Sequence, residues 1–224
     1  IIVWGIQPYK NMREDVTYIR CPNEHDLIME FMSFWTKNYP DVITGWNTDF
    51  FDVPYLANRI KQVCGEDKMR ELSPWKNVSA KQIYSMGRNH LMYDIMGVSQ
   101  YDYLQLYQKF TYTRQESYKL DYIASVELGE KKDENPYETF REWYENDFQS
   151  FIDYNIQDVE IVDKLEDKMG LIDLALTMAY EGKVNYSDVF GQVKYWDILI
   201  YNFLRKRKIV IPVSYTHLRA HETN

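Results

Sequence analysis

The sequence has little cysteine, no long apolar run and no excess of basic residues. Its two cysteines, Cys21 and Cys64, are too few for a disulfide framework, which favours a protein of a reducing cytosol. No stretch approaches the roughly 20 apolar residues of a membrane-spanning helix, which argues against a spanning protein. With 34 acidic and 26 basic residues the net charge is −8, so we expect no coating of nucleic acid by bulk charge, although a local nucleic-acid site stays open.

The chain has enough hydrophobic residues to form a folded core. Of its 224 residues, 45% are hydrophobic and 16% are aromatic, a composition that excludes a disordered chain. The chain begins at Ile1 rather than at Met and carries no signal-peptide pattern. We therefore expect it to be a piece of a longer protein.

The last residues resemble the translation of a sequencing adapter rather than natural sequence. Residues 213–223 match, codon for codon, the translation of a transposase adapter used in sequencing libraries. We therefore expect the natural chain to end near Pro212 and residues 213–224 to be non-native. His217 and His221 have the spacing of a helical zinc site, and the adapter origin removes that interpretation.

Hydrophobic periodicity predicts a mixed α/β domain followed by helices, with no internal repeat. Apolar runs at residues 1–6, 16–19 and 42–47 predict strands, and residues 76–100 predict a β-hairpin. Helical spacing and turn residues such as Gly65 predict most of the remainder. The predicted helices cover residues 24–37, 54–64, 101–110, 118–128, 137–146, 148–168, 171–181 and 187–204.

The first candidate site is the strand-to-helix passage of residues 44–54. A strand that ends in Gly-Trp-Asn, with Asn47 last, brings backbone to the carboxyl edge of a sheet, where open α/β folds bind their ligands. Asp52 then stands just before a helix N-terminus, whose dipole stabilises the ionised carboxylate. A simple helix cap is the competing interpretation of Asp52. Phe50 and Phe51 suit either a core or stacking on an unpaired base.

The second candidate lies on the helix predicted over residues 148–168. Tyr154 and Asp158 are four residues apart and therefore project from one face. Their neighbours on that face are apolar, and a carboxylate there is costly unless it is hydrogen-bonded, paired or bound to a metal. A hydrogen-bonded structural aspartate is the competing interpretation of Asp158.

Taken together, Asp52 and Asp158 predict a site for a hard divalent cation, because Mg²⁺ prefers oxygen ligands. Together with Tyr154, which could orient a water, they supply part of the residue set needed for two-metal hydrolysis of a phosphodiester. The set is incomplete, because the Asp-x-Glu pair of Asp158 and Glu160 lies on a helix. Residues two apart on a helix point about 200° away from each other, so Glu160 cannot join this site.

In their order along the chain, these motifs resemble the exonuclease domain of family B DNA polymerases, in particular those of large tailed bacteriophages. Residues 43–55, with Gly-Trp-Asn and Phe-Asp-Val-Pro-Tyr, resemble the second exonuclease motif, and residues 154–159 resemble the third, Tyr-x-x-x-Asp. Residues 102–110 and 117–123 are similar to the connecting helices, and residues 194–202 to the helix that leads to the polymerase palm.

The resemblance implies a partial RNase H-like exonuclease domain of α/β class, with a mixed sheet, flanking helices and a β-hairpin. The implied domain covers residues 1–183, and a helical connection toward the missing palm covers residues 184–212. The implied activity is 3′→5′ proofreading with two Mg²⁺ ions, or Mn²⁺, on the single-stranded primer 3′ end of a DNA primer–template. A sliding clamp is the implied partner, and the cytoplasm of an infected bacterium is the implied location.

The resemblance also assigns roles to six residues. They are the DNA contacts Asn47 and Phe51, the metal ligands Asp52 and Asp158, Tyr154 beside the attacking water, and Lys132 near the scissile phosphate. A lysine there would stabilise the developing negative charge. Further phosphate contacts are expected from Lys76, Lys81 and Arg88 near the hairpin tip and from the basic run of residues 205–208.

Two parts of the family pattern are absent from the chain. They are the strand-borne Asp-x-Glu motif and the palm, so we expect the isolated fragment to be inactive. A stand-alone RNase H-like exonuclease and a catalytically degenerate module that binds single-stranded nucleic acid remain the alternative functions. The presence of Asp52, Tyr154 and Asp158 together argues against the degenerate module.

Overall fold

The structure of the chain, a computed structural model, describes residues 1–85, 87–129 and 136–210. Lys132 and the tail from residue 213 lie outside them. The strands of the described part are β1 (Ile2–Gly5), β2 (Thr17–Arg20), β3 (Val42–Gly45), β4 (Val78–Ser85), β5 (Arg88–Ile95) and β6 (Ser99–Asp102). Its helices are α1 (Glu24–Lys37), α2 (Asp52–Cys64), α3 (Glu66–Arg70), α4 (Tyr103–Phe110), α5 (Leu120–Glu127), α6 (Phe140–Asn146), α7 (Phe148–Met169), α8 (Leu171–Gly182) and α9 (Gln192–Lys206).

The strands pair as three two-stranded sheets. β1 and β2 are parallel, β3 and β6 are parallel, and β4 and β5 form the antiparallel hairpin. The α/β class is thereby confirmed, including the hairpin and flanking helices. The parallel pairs bring residues from distant parts of the sequence to a common edge, which is where the candidate site lies.

Strand β6 is the main correction to the predicted elements. Residues 99–102 were divided between the predicted hairpin and a helix beginning at residue 101, whereas they pair with β3 and the helix α4 begins at Tyr103. Its partner strand is far away in the sequence, so local periodicity carries no signal of this pairing.

The hairpin also corrects the placement of two basic residues. Arg88 lies beside the tip, as expected, but Lys76 precedes β4 at the open end of the hairpin. Lys81 faces Met92 in the middle of the ladder, and its Nζ lies 2.8 Å from the Asp94 carboxylate. Neither lysine is available at the hairpin tip as a phosphate contact.

Local signals set the ends of the helices that carry the site. The Asn23 side chain accepts a hydrogen bond from the Asp26 amide at 2.9 Å and so caps α1. Gly65, with φ at +91°, ends α2 in a conformation that glycine adopts at little cost. Helix α7 buries Ile152 and Ile156 in a cluster with Val16, and this contact holds α7 beside the first two strands.

The chain divides into two compact units, residues 1–172 and residues from 173 onward. In the second unit, Asn202 donates a hydrogen bond to the Gly182 carbonyl and the Tyr195 hydroxyl donates one to the Met178 carbonyl. The domain boundary at residue 183 stays a prediction. Across the described ranges, no helix is both long enough and apolar enough to cross a membrane.

Candidate active site at the start of helix α2

The candidate site begins at the tight turn between β3 and α2. Asn47 in this turn has a φ of +63°, in the left-handed region that asparagine tolerates better than most residues. The turn closes on itself, because the Phe51 amide donates to the Asn47 carbonyl at 3.1 Å and the Val53 amide donates to the Thr48 carbonyl at 3.0 Å. These two bonds lie on either side of Asp52.

Asp102 accepts hydrogen bonds from this turn. Its Oδ1 accepts from the backbone amide of Asn47 at 2.9 Å and from that of Leu104 at 3.0 Å, and its Oδ2 accepts from that of Asp49 at 3.4 Å. The residue is only 1% exposed and also caps α4. Sequence reasoning did not identify this role. The available signal was an aspartate placed directly before a helical stretch.

Asp49 is a second buried carboxylate in the turn. Its Oδ2 accepts a hydrogen bond from Gln105 Nε2 at 2.8 Å, and among the described residues its buried Oδ1 has no hydrogen-bond partner. Burial, followed by the nearby charge of Asp102, raises the pKa of Asp49 to about 6, against a smaller opposing effect of Gln105. Ionised Asp49 therefore destabilises the folded chain near neutral pH.

This raised pKa predicts that Asp49→Asn stabilises the chain more at high pH than at low pH. Between 3.8 and about 6 the folded state retains a proton that the unfolded state has lost, so stability falls as pH rises through this window. Above it the full cost, about 3 kcal/mol, is present and asparagine removes it. We expect Asp49→Asn to raise the melting temperature at about pH 8, and to lose that advantage at about pH 4.

Thermal unfolding of Asp49→Asn across this pH range is the measurement, with the exposed Asp163→Asn as the matched control. If Asp49→Asn raised the melting temperature equally at about pH 4 and about pH 8, the ionisation of Asp49 would not be the source of the destabilisation.

Asp52 is the first residue of α2, and the preceding Phe51 occupies the cap position without a side-chain hydrogen bond. The competing interpretation of Asp52 as a helix cap therefore does not fit. The residue is exposed to solvent, yet the crowding of its carboxyl by protein atoms raises its pKa, and so do the charges of Asp102 and Asp158. Its own backbone amide acts in the opposite direction.

Asp158 lies on α7 and interacts electrostatically with Asp52. The residue is half-buried and its Oδ1 is inaccessible to solvent. The fold thus brings together two carboxylates that are far apart in sequence. Glu160, on the same helix, instead forms an ion pair with Arg13, consistent with the helical geometry that separates it from Asp158.

Tyr154 shares the face of α7 with Asp158 and packs against an aromatic cluster. Its ring centroid lies 4.7 Å from that of Trp143 and 6.2 Å from that of Phe140. Trp143 is buried, and its Nε1 donates to Ser150 Oγ at 2.7 Å. The cluster limits the orientations that Tyr154 can adopt on this face of α7.

The two neighbouring phenylalanines differ in environment. Phe50 is half-buried against His90 of the hairpin, at 4.7 Å between ring centroids, which is a packing role. Phe51 is 65% exposed, and Tyr55, one helical turn later, is 66% exposed. Sequence reasoning did not identify Tyr55, although its spacing of four residues from Phe51 on a helix was a usable signal. Phe51 and Tyr55 are thus exposed aromatics close to Asp52 in the chain.

The sequence of this chain matches the model of a known family. The model of the exonuclease domain of DNA polymerase family B matches residues 6–123, just over half of the chain. The chain belongs to this family. Its fold is accordingly the RNase H-like exonuclease fold, and the resemblance drawn from the motifs is confirmed.

Similar proteins include two phage polymerases and a fungal one. The DNA-directed DNA polymerase of Escherichia phage RB69 is 38% identical over 206 residues, which cover 91% of this chain and 22% of the relative. That of Enterobacteria phage T4 is 40% identical over 216 residues, or 96% of this chain and 24% of the relative. The DNA polymerase delta catalytic subunit of Candida albicans is 34% identical over 118 residues, which cover 50% of this chain and 11% of the relative. The chain thus spans about a quarter of the phage relatives' length.

The family is a metal-dependent type of nuclease, so the site's donors can be tested against that requirement. Asp52 and Asp158 supply carboxylate oxygens, the ligands that hard divalent cations prefer. Across the part of the chain that the structure describes, no group of three or more His, Cys, Asp or Glu side chains could hold a metal ion. The pair therefore fits a divalent cation in chemistry and supplies only part of a coordination shell.

Proposed function

We propose that this chain is the proofreading part of a family B DNA polymerase, which hydrolyses the primer-terminal phosphodiester in the 3′→5′ direction by two-metal catalysis. The observation that carries the proposal is that Asp52 and Asp158, far apart in sequence, lie close enough to interact electrostatically within a family B exonuclease domain. The negative charge of Asp158 raises the pKa of Asp52, and a cation beside the two carboxylates would offset this repulsion.

Each site residue has a proposed role. Asp52 and Asp158 would each hold one of two ions, which when bound activate water and stabilise the leaving oxygen. Tyr154, restrained by Trp143, would orient the attacking water. Asn47 and Phe51 would contact the single-stranded primer end, with the exposed Phe51 ring available for stacking on a base. Lys132, which lies outside the described residues, would neutralise charge at the scissile phosphate.

The proposal includes the wider setting of this activity. We propose Mg²⁺ as the metal, with Mn²⁺ as a substitute, and a DNA primer–template as the substrate. Because two similar proteins are phage polymerases, we propose action in the cytoplasm of an infected bacterium. A sliding clamp is the proposed partner of the whole polymerase. The proposed exonuclease portion is residues 1–183, followed by a connection over residues 184–212 and a non-native tail over residues 213–224.

A chimera tests the proposed function. Residues 1–212 of this chain would replace the matched segment of the phage T4 polymerase, whose remaining chain supplies the regions absent here. We expect the chimera to remove a mismatched 3′ nucleotide from a labelled primer with Mg²⁺ and to extend a matched primer. A chimera that extends primers normally but never excises a mismatch, while the parent enzyme does, would overturn the proposal.

The isolated chain is expected to cleave single-stranded DNA at less than about a thousandth of the chimera's rate, because each missing metal contact removes several kcal/mol of transition-state stabilisation. Purified residues 1–212 would be incubated with a 5′-labelled oligonucleotide and Mg²⁺, and the products resolved by length. Trimming at the chimera's rate that disappears in Asp158→Ala would show this expectation to be wrong.

A catalytically degenerate module that binds single-stranded nucleic acid is the second candidate function, because the exposed rings of Phe51 and Tyr55 could stack on bases without any catalysis. It predicts that the chimera binds single-stranded DNA through this domain without cleaving it. Fluorescence anisotropy with a labelled oligonucleotide, measured alongside the excision assay, separates the two candidates.

A further inference from the structure

Asp102 lies behind the candidate site, at the edge that β3 and β6 share. It is the last residue of β6 and pairs with Gly45, the last residue of β3. From there its carboxylate faces two segments, the start of its own helix α4 and the turn that leads into α2. A side chain that is 1% exposed cannot replace these partners with water.

The hydrogen bonds of the turn connect Asp102 to both neighbours of Asp52. Asp102 accepts from the backbone amides of Asn47 and Asp49. The Asn47 carbonyl in turn accepts from the Phe51 amide, and the Thr48 carbonyl accepts from the Val53 amide. The residues on either side of Asp52 are thus held by a turn whose own amides are held by Asp102.

We propose that Asp102 is a positioning residue of the site, which sets where α2 begins and thereby where the Asp52 carboxylate stands relative to Asp158. Without this carboxylate the amides of Asn47 and Asp49 lose their acceptor in a buried turn that includes a left-handed residue. The turn must then rearrange, and Asp52 moves with it. What the positioned carboxylate does rests on the proposed function, whereas the positioning itself does not.

The charge of Asp102 offers a rival explanation of any effect, because it also acts directly on Asp52. Three substitutions separate position from charge. Asp102→Asn keeps an oxygen at Oδ1, the atom that accepts from Asn47 and Leu104, and removes the charge together with the longer bond from the Asp49 amide to Oδ2. Asp102→Glu keeps the charge and displaces the oxygens by one methylene group. Asp102→Ala removes both.

Amide hydrogen exchange on the full 224-residue chain measures the positioning directly. We expect the amides of residues 47–53 to exchange about tenfold faster or more in Asp102→Ala, the effect of losing a buried hydrogen bond of ordinary strength. Asp102→Asn is expected to stay within about threefold of the parent chain. The matched control is Asp147→Ala, which removes the carboxylate that caps α7 at Ser150 and should leave residues 47–53 unchanged.

The second measurement is the affinity of the site for Mn²⁺ alone. It is followed by NMR as paramagnetic broadening of the amide signals near Asp52 and Asp158. Positioning predicts that Asp102→Asn binds like the parent chain, while Asp102→Glu and Asp102→Ala bind about tenfold more weakly. Unchanged protection of residues 47–53 in Asp102→Ala would overturn the inference. So would the reverse order, with Asp102→Glu near the parent and Asp102→Asn as weak as alanine, because charge would then explain the effect.

The Asn and Glu variants keep the comparison informative even if Asp102→Ala fails to fold. A parent chain in which Mn²⁺ broadens no signal near Asp52 and Asp158 would count against the proposed metal site. The exchange measurement would still decide whether Asp102 positions the turn, so the two failures are distinguishable.

Discussion

Replacing Asp158 with alanine in the chimera is expected to slow excision of a mismatched primer end by about 10³-fold or more, while primer extension continues. The half-buried carboxylate of Asp158 interacts with Asp52, and these two residues supply the paired oxygens of the proposed metal site. A metal contact worth several kcal/mol of transition-state stabilisation corresponds to a loss of this size at about 1.4 kcal/mol per tenfold. Excision and extension rates are measured on mismatched and matched primers with the same enzyme preparation.

The matched control for this prediction is Asp163→Ala on the same helix. Asp163 is exposed to solvent, so its removal is expected to change the excision rate less than about threefold. Excision that survives Asp158→Ala at more than a tenth of the parent rate would contradict the metal role of Asp158. Equal losses for both variants would point to damage to α7 rather than to a lost ligand.

Replacing Trp143 with alanine is expected to lower the free energy of unfolding by about 3–5 kcal/mol, the usual cost of removing a buried aromatic side chain. Trp143 is 2% exposed and packs against Phe151 and Tyr154, with ring centroids at 5.9 and 4.7 Å. Its Nε1 also donates to Ser150 Oγ. Urea denaturation of the chain, followed by far-ultraviolet circular dichroism, is the measurement.

Trp75→Ala is the matched control, because Trp75 is 68% exposed and its loss should cost less than about 1 kcal/mol. Trp143→Phe keeps a ring in the cluster and removes the donor to Ser150, so an intermediate cost of about 1–3 kcal/mol is expected. Equal effects of Trp143→Ala and Trp75→Ala would contradict the placement of Trp143 in the core.

Local features of the structure were predictable from the sequence because they depend on residues within about four positions of each other. Helix α1 covers the predicted residues 24–37, and α2 ends before Gly65, the predicted turn residue. Tyr154 and Asp158 share a helix face because four residues complete about one turn, and for the same reason Glu160 points elsewhere. The family was recognisable because several such local motifs occur in order, and the family match confirms it.

The parts of the candidate site that depend on distant partners were not predictable in this way. Strand β6 exists only through its pairing with β3, and the burial of Asp49 and Asp102 follows from that pairing. The sequence combined Asp52 and Asp158 into one predicted cation site, but a helix cap for Asp52 and a hydrogen-bonded structural role for Asp158 stayed open as alternatives.

The sequence by itself therefore determined most of the helices, the family and the residue types available for catalysis, since these depend on patterns among residues close together in the chain. Only the tertiary structure decided that Asp52 and Asp158 interact and that burial raises the pKa of Asp49. It also decided that Asp102 accepts hydrogen bonds from the turn between β3 and α2. The physical reason is that burial and electrostatic contact depend on which distant segments the parallel strand pairs bring to one edge.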